Sequence, residues 1–416
     1  MNRSILRNMS WIGLIQSANF ILPFATLPYL ARALLPEKFG TMSLALAIAA
    51  VLAIICDYGF NWSGVSQISA KRGRRDDLVR IFSEIVAAKI LIFLIALLGL
   101  VFCVEFIPML NRDSGVYLIS LTLTFGAVFS PLWFLQGIER MFELAAATLG
   151  ARLISIAAVY HFVNTPDDVE VATFLMAIPN LLSALAGLFF VQKIMGCFTI
   201  PKIKGVCQQL CDGWPIFIGT LTIGVYTTAQ TVIVGALGGP AVAGYYASAD
   251  KCMSAGKALL GVVTQASLPR VSYWAQHDPL RGLKLIHSFL WMSPAALCVS
   301  IAMIIAPEVI VSILFGSPFV ESVAPLLRIL SPIPIFVSLT SCFASLYMLN
   351  YGYRNLWSRM LVAASAISLL STWLAFFWFP AHVAAAIGVV VAEGFVTVFS
   401  GVVFITSTKN KKALGK

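Results

Sequence analysis

Five basic side chains fall inside runs whose other residues belong in hydrocarbon: Lys89, Arg152, Lys251, Lys257 and Arg328. A cation at that depth costs roughly 2.5 to 3.5 kcal/mol on insertion scales, so each is expected to face water or an anion. The chemistry open to them is anion binding. Arg152 presents a planar fork that grips phosphate oxygens two at a time, and Thr148 and Ser155 share its helical face. Asp250, Ser254, Lys257 and Gly261 recur at spacings of four, three and four, with Gln265 continuing the stripe. One helical face thus carries a carboxylate, a hydroxyl and an ammonium group, while Lys251 points about 100° away. Lys89 and Arg328 lie nearer span ends, where long side chains also reach the interface. Arg32, at the outer end of the first span, completes the set of candidate anion contacts.

The intramembrane acids are Asp57, Asp250 and Glu393. An unpaired carboxylate in low dielectric tends to hold a proton, which makes these the candidates for ion coupling. The competing role for any of them is a structural pair with Arg152 or Arg328. Two further polar faces extend the pattern. Gln16, Asn19, Pro23 and Thr26 share one, and Thr220, Gly224, Thr227 and Thr231 share another. Pro23 and Pro28 interrupt backbone bonding and are the candidate helix-bending positions. No enzyme is legible: His161, His277, His287 and His382 are scattered, and the acid pairs Asp76-Asp77 and Asp167-Asp168 sit in turns. The eight cysteines form no CxxC, and neither a metal nor a cofactor is expected.

The elements that must position these groups follow from composition. Of 416 residues, 59% are apolar and 11% charged, with a mean hydropathy of +0.91. That is the balance of a polytopic membrane protein. Runs of about 20 apolar residues centre near Asn19, Ala50, Ile95, Phe125, Ile154, Ser183, Tyr226, Lys257, Ala296, Ser338, Leu370 and Glu393. The expected fold is therefore all-α, with twelve transmembrane helices. The runs are too long and too evenly apolar for barrel strands. Most of the 28 Lys and Arg residues fall on one side, from Arg3, Arg7 and the Lys71–Arg80 cluster to Lys409–Lys416; the other side has Arg32, Lys38 and Arg112. Both termini are accordingly placed in the cytoplasm. The net charge of +10 reads as a topology signal, with no nucleic-acid partner. The first apolar run exceeds a signal-peptide core and reads as a retained helix.

An internal echo divides the chain in two. Pro36 to Gly40 opens the second span and Pro240 to Gly244 the eighth; Leu135 to Arg140 follows the fourth and Leu349 to Arg354 the tenth. Six spans per half, each half starting in the cytoplasm, make parallel repeats. The expected organisation is a lobe at 1–193, a cytoplasmic linker at 194–212, a second lobe at 213–406 and a basic tail at 407–416.

The chain resembles the polysaccharide transporters that include the Wzx-type O-antigen flippases, within the multidrug/oligosaccharidyl-lipid/polysaccharide export superfamily. The resemblance rests on Leu27-Pro28-Tyr29-Leu30-Ala31-Arg32-Ala33-Leu34, Phe39-Gly40, Asp57-Tyr58-Gly59-Phe60, Trp133-Phe134-Leu135-Gln136-Gly137-Ile138-Glu139-Arg140-Met141 and Gly244-Tyr245-Tyr246-Ala247. It implies two six-helix lobes around a central cavity that opens to either side of the bacterial inner membrane. It also implies an undecaprenyl-pyrophosphate-linked oligosaccharide as cargo, with O-antigen polymerase and chain-length regulator as candidate partners. A multidrug or ion antiporter of the same superfamily is the nearest rival, and a membrane polysaccharide polymerase or acyltransferase a more distant one. The cations in the spans outnumber the acids, which favours anionic cargo.

Overall fold

Helix ends in this chain are set by glycine and proline. Gly196, Gly239 and Gly316 close helices at φ of 73°, 87° and 90°, where a side chain would be strained. Pro240, Pro279 and Pro307 each open a helix, where the missing N–H costs nothing. The computed structural model describes residues 23–196 and 199–414, and every regular element among them is helical. In chain order these include α1 (Pro23–Asp57), α2 (Phe60–Ala70), α3 (Arg75–Phe106), α4 (Ser114–Phe129), α5 (Phe142–Phe162), α6 (Val169–Met195), α7 (Ile203–Thr227) and α8 (Ala229–Gly238). They continue with α9 (Pro240–His277), α10 (Pro279–Ser288), α11 (Met292–Ile305), α12 (Pro307–Phe315), α13 (Ser317–Leu330), α14 (Ile333–Thr340), α15 (Arg354–Ala375) and α16 (Ala381–Leu414).

Nine helices among the described residues are long and apolar enough to cross a membrane, or ten if α7 and α8, bent by 48°, count as one span. The chain is a multi-pass membrane protein. Every span centre read from the sequence lies in a helix except Asn19, which is outside the described residues together with Arg3, Arg7 and Gln16. The helix α9, which carries Asp250, Lys251 and Lys257, is not among the nine.

Three apolar spans are broken partway. The run from α1 into α2 is interrupted at Asp57-Tyr58-Gly59, where Tyr58 and Gly59 adopt φ of 50° and 77°. The run after α4 breaks at Ser130-Pro131 before a short helix, Leu132–Gly137; Pro131 disfavours helical dihedrals at Ser130. The third break is the bend at Thr228 between α7 and α8. Irregular backbone at membrane depth is tolerated where it lines a cavity or is buried in protein.

The sequence assigns helix bending to Pro23 and Pro28. Pro23 starts α1, and its side chain lies outside the described residues. The non-helical residue within α1 is Leu35, at φ 59° and ψ 167°, immediately before Pro36. A break in helical geometry thus lies at Leu35, beyond Pro28, where the following proline disfavours the helical region. The stretch around Pro28 is instead strapped down. Tyr29 Oη donates to the Val163 carbonyl at 2.7 Å and Tyr160 Oη to the Ala25 carbonyl at 2.6 Å.

Packing divides the chain into two units. The first holds the residues up to Gly235 with Gly239–Gly244, the second Ala236–Gly238 with Tyr245 onward. Thus α7 packs with α1 and α3 in the first unit, although it follows the expected linker at 194–212. In the second unit α16 packs against α13, α14 and α15. The two sequence echoes meet inside the first unit: a Cβ at Gly40 would strike the Pro240 carbonyl, and one at Gly244 would lie 2.7 Å from Gly40 Cα and 3.3 Å from the Pro36 carbonyl. Each echo thus presents its glycine to the other's proline. Gly40→Val should cost about 1–3 kcal/mol through overpacking, seen as a lowered Tm of the purified protein.

Candidate functional site

The three broken spans converge on one cavity of about 460 Å³ in the first unit. Asp57 reaches it from the first break, Asn61 from the start of α2, Ser130 from the second break and Thr227 from the end of α7. Thr148 of α5, Asn180 and Ser183 of α6, and Thr220 of α7 complete its polar wall. Half of the lining residues are polar and none is aromatic.

Local sequence explains the shape. Pro179 sits inside α6 and leaves the Leu175 carbonyl without its usual helical donor. Ser155 Oγ of α5 supplies that donor at 2.5 Å. The next residue, Asn180, faces the cavity, and Gly126 allows α4 to come close there, since a Cβ would lie 2.6 Å from the Asn180 carbonyl carbon. Gly59 turns the chain after Asp57, while the Tyr58 ring stacks on Phe217 with centroids 4.4 Å apart. The segment Asp57-Tyr58-Gly59-Phe60 is therefore a helix break, with its carboxylate turned into the cavity and its aromatic ring anchored on α7.

The charged residues divide rather than gather. Lys89 lies near the middle of α3, 1% exposed, and its Nζ donates to Asp57 Oδ1 at 2.8 Å. The expectation that Lys89 reaches the interface fails because α3 begins at Arg75, well before the span centre. In the second unit Lys257 Nζ lies 3.4 Å from Glu393 Oε1, with side-chain exposures of 25% and 12%. Thr397 Oγ1, one turn beyond, donates to the Glu393 carbonyl at 2.8 Å. Arg328 pairs with Glu308, both about half exposed. The sequence offers Arg152 or Arg328 as partners for the intramembrane acids; the structure gives Asp57 to Lys89 and Glu393 to Lys257. Which face of one helix meets which face of another is set by tertiary packing, which spacing along one helix does not encode.

Of the remaining candidates, Arg152 is half-buried with no acceptor for its Nε. Lys251 and Arg32 are exposed, and Asp250 is half-buried one turn after the buried Tyr246. None of the six candidate cations lines the first-unit cavity, and Asp57 is the sole candidate acid there. Of the four residues the sequence places on one face, Thr220, Gly224 and Thr227 line it together, while Thr231 lies past the break at Thr228 and is not part of the lining. Sequence reasoning missed Asn61, Ser130, Asn180 and Ser183. The available signal was a helix breaker beside each of three of them: Gly59, Pro131 and Pro179.

Interrupted helices around a polar cavity, in a chain otherwise built for lipid, define an α-helical fold shared with membrane transporters of known structure. The crystal structure of a eukaryotic MATE transporter matches with a TM-score of 0.60 at 16% identity, covering 96% of this chain and 95% of that one. An inward-facing multidrug resistance MATE family transporter of the MOP superfamily matches with a TM-score of 0.59 at 14% identity, covering 98% and 96%. The chain belongs to the polysaccharide biosynthesis protein family, whose model matches residues 5–274. A relative from Escherichia coli (strain K12), named "Putative O-antigen transporter", is 30% identical over 370 residues, which is 88% of this chain and 89% of that protein.

Proposed function

We propose that this protein is a flippase that carries undecaprenyl-pyrophosphate-linked O-antigen or related oligosaccharide units from the cytoplasmic to the periplasmic leaflet by alternating access. The carrying observation is the cavity at three broken apolar spans, which gathers hydrogen-bonding groups where helices otherwise suited to lipid are interrupted. A sugar-pyrophosphate headgroup cannot cross hydrocarbon unaided, since stripping water from its charges would cost tens of kcal/mol at the idealised limit. The polyprenyl tail has no such barrier and stays in the bilayer. On this reading the chain forms twelve helices in two lobes in the bacterial inner membrane, with both termini in the cytoplasm.

Lys257 is the favoured pyrophosphate contact, because it is a quarter exposed and its 3.4 Å pairing with Glu393 is loose. Arg152, with its unused Nε, is the second. Asp250 and Glu393 are the ion-coupling candidates; Asp57 is held by Lys89. Voltage assists as well: two negative charges leaving a cell that is negative inside gain about 4 to 5 kcal/mol per 100 mV, at ~2.3 per charge. The family membership and the relative's name support a saccharide cargo over the antiporter reading. Deleting the protein should remove surface polysaccharide and leave lipid-linked oligosaccharide accumulated on the inner leaflet. Unchanged surface polysaccharide in the deletion strain would overturn the proposal.

A further inference from the structure

The first-unit cavity has a hydrogen-bonding character that names its ligand more closely. Thr148 Oγ1 donates to the Leu144 carbonyl at 2.8 Å, Thr220 Oγ1 to the Phe217 carbonyl at 3.0 Å, and Thr227 Oγ1 to the Ile223 carbonyl at 2.8 Å. Each threonine has spent its proton on its own helix and offers the cavity only lone pairs. The Asp57 carboxylate, which accepts a 2.8 Å hydrogen bond from Lys89 Nζ, is likewise an acceptor. The side-chain amides of Asn61 and Asn180 line the cavity and provide both donors and acceptors. Ser183, 8% exposed, lines the cavity, and its buried Oγ has no protein partner. The wall is therefore rich in acceptors, and the one cation behind it, Lys89, is sealed from the cavity at 1% exposure.

An ionised phosphate only accepts hydrogen bonds. It would meet the Asp57 carboxylate and the threonine lone pairs here. Neutral donors come from Asn61 and Asn180, but no ammonium or guanidinium group among the lining residues offsets its charge. A sugar hydroxyl both donates and accepts, and so matches this wall. The apolar residues Ala53, Ile54, Leu144 and Ile223 suit the C–H faces of a pyranose ring, and the volume lies within the usual range for small-molecule sites. An added metal cation is disfavoured because Lys89 already neutralises the only lining carboxylate.

We propose that this cavity is a subsite for neutral sugar rings of the cargo, separate from the groups that bind its pyrophosphate. This inference rests on the flippase reading and adds a division of labour to it. The test uses full-length protein in lipid nanodiscs and equilibrium binding of a labelled, phosphate-free oligosaccharide released from the host's own polysaccharide. Competition is with inorganic pyrophosphate and with sodium chloride. Wild type should bind the saccharide, and neither salt should displace it. Asn180→Ala and the milder Ser183→Ala, which leaves no polar group unsatisfied, should each weaken saccharide binding, Asn180→Ala by about tenfold, at unchanged Tm. Displacement of the saccharide by pyrophosphate, displacement by sodium, or unchanged affinity in both variants would overturn the subsite. A leaflet-resolved translocation assay on the same wild-type protein separates the two levels. Translocation with any of those results leaves the flippase reading standing and removes the subsite, whereas no translocation by folded wild type removes the reading itself.

Discussion

Lys89→Met should be severely destabilising, by about 3 to 5 kcal/mol, because it strands the Asp57 carboxylate beside a site built for an ammonium group. Lys89 is 1% exposed and lies 2.8 Å from its partner, so methionine takes away the ammonium donor on the closed side of Asp57. The expected observation is low membrane abundance and a much reduced Tm in detergent. Asp57→Asn alone should also be costly, since it leaves a buried ammonium group uncompensated. Combining Asp57→Asn with Lys89→Met removes both charges and should recover much of the folded protein. A Lys89→Met protein of normal abundance and Tm that has lost transport would instead mark Lys89 as a cargo contact.

Lys257→Met should do the opposite: leave abundance nearly normal and cut translocation by roughly a hundredfold. The pair with Glu393 is long at 3.4 Å and its lysine is a quarter exposed, so losing the ammonium group costs less stability than at the sealed Lys89. A charge-assisted contact to phosphate is worth about 1.5–3 kcal/mol, or roughly 10- to 150-fold in transport. Exchanging the charges, Lys257→Glu with Glu393→Lys, distinguishes a ligand from a brace. Restored transport in the exchanged protein would reduce the pair to packing. Continued loss at normal abundance places the ammonium group on the cargo.

The contrast between these two lysines marks how far the sequence could be read. Both stand out as charges within apolar runs, and that identifies them as partnered or wet without saying which. Helical periodicity grouped Thr220, Gly224 and Thr227, because residues on one face of one helix share an environment whatever packs against them. It also carried the stripe on to Thr231, across the break at Thr228 that spacing does not show. It could not pair Asp57 with Lys89 across two helices, nor see that α3 extends far enough to bury Lys89. Asn61 and Asn180 went unremarked because a lone amide in a span ordinarily serves helix packing. Their significance lies in the adjoining breakers, Gly59 and Pro179, which open the backbone where the amide projects. The glycine echo at Gly40 and Gly244 was visible as a repeat, but its meaning as a close crossing needed three dimensions. The family motif from Leu27 to Leu34 likewise proved to be packing: Leu27, Leu30, Ala31 and Leu34 are buried and Tyr29 straps the helix to the end of α5.

The most direct measurement of the whole account is reconstitution of the purified protein into sealed vesicles containing undecaprenyl-pyrophosphate-linked oligosaccharide. A membrane-impermeant glycosidase then reports how much headgroup lies in the outer leaflet over time. The account predicts protein-dependent transfer of headgroups between leaflets, slowed roughly a hundredfold by Lys257→Met and faster when the membrane potential favours movement of negative charge. Folded wild-type protein that leaves the lipid-linked saccharide where it was placed, while exchanging cationic dyes for protons, would contradict it.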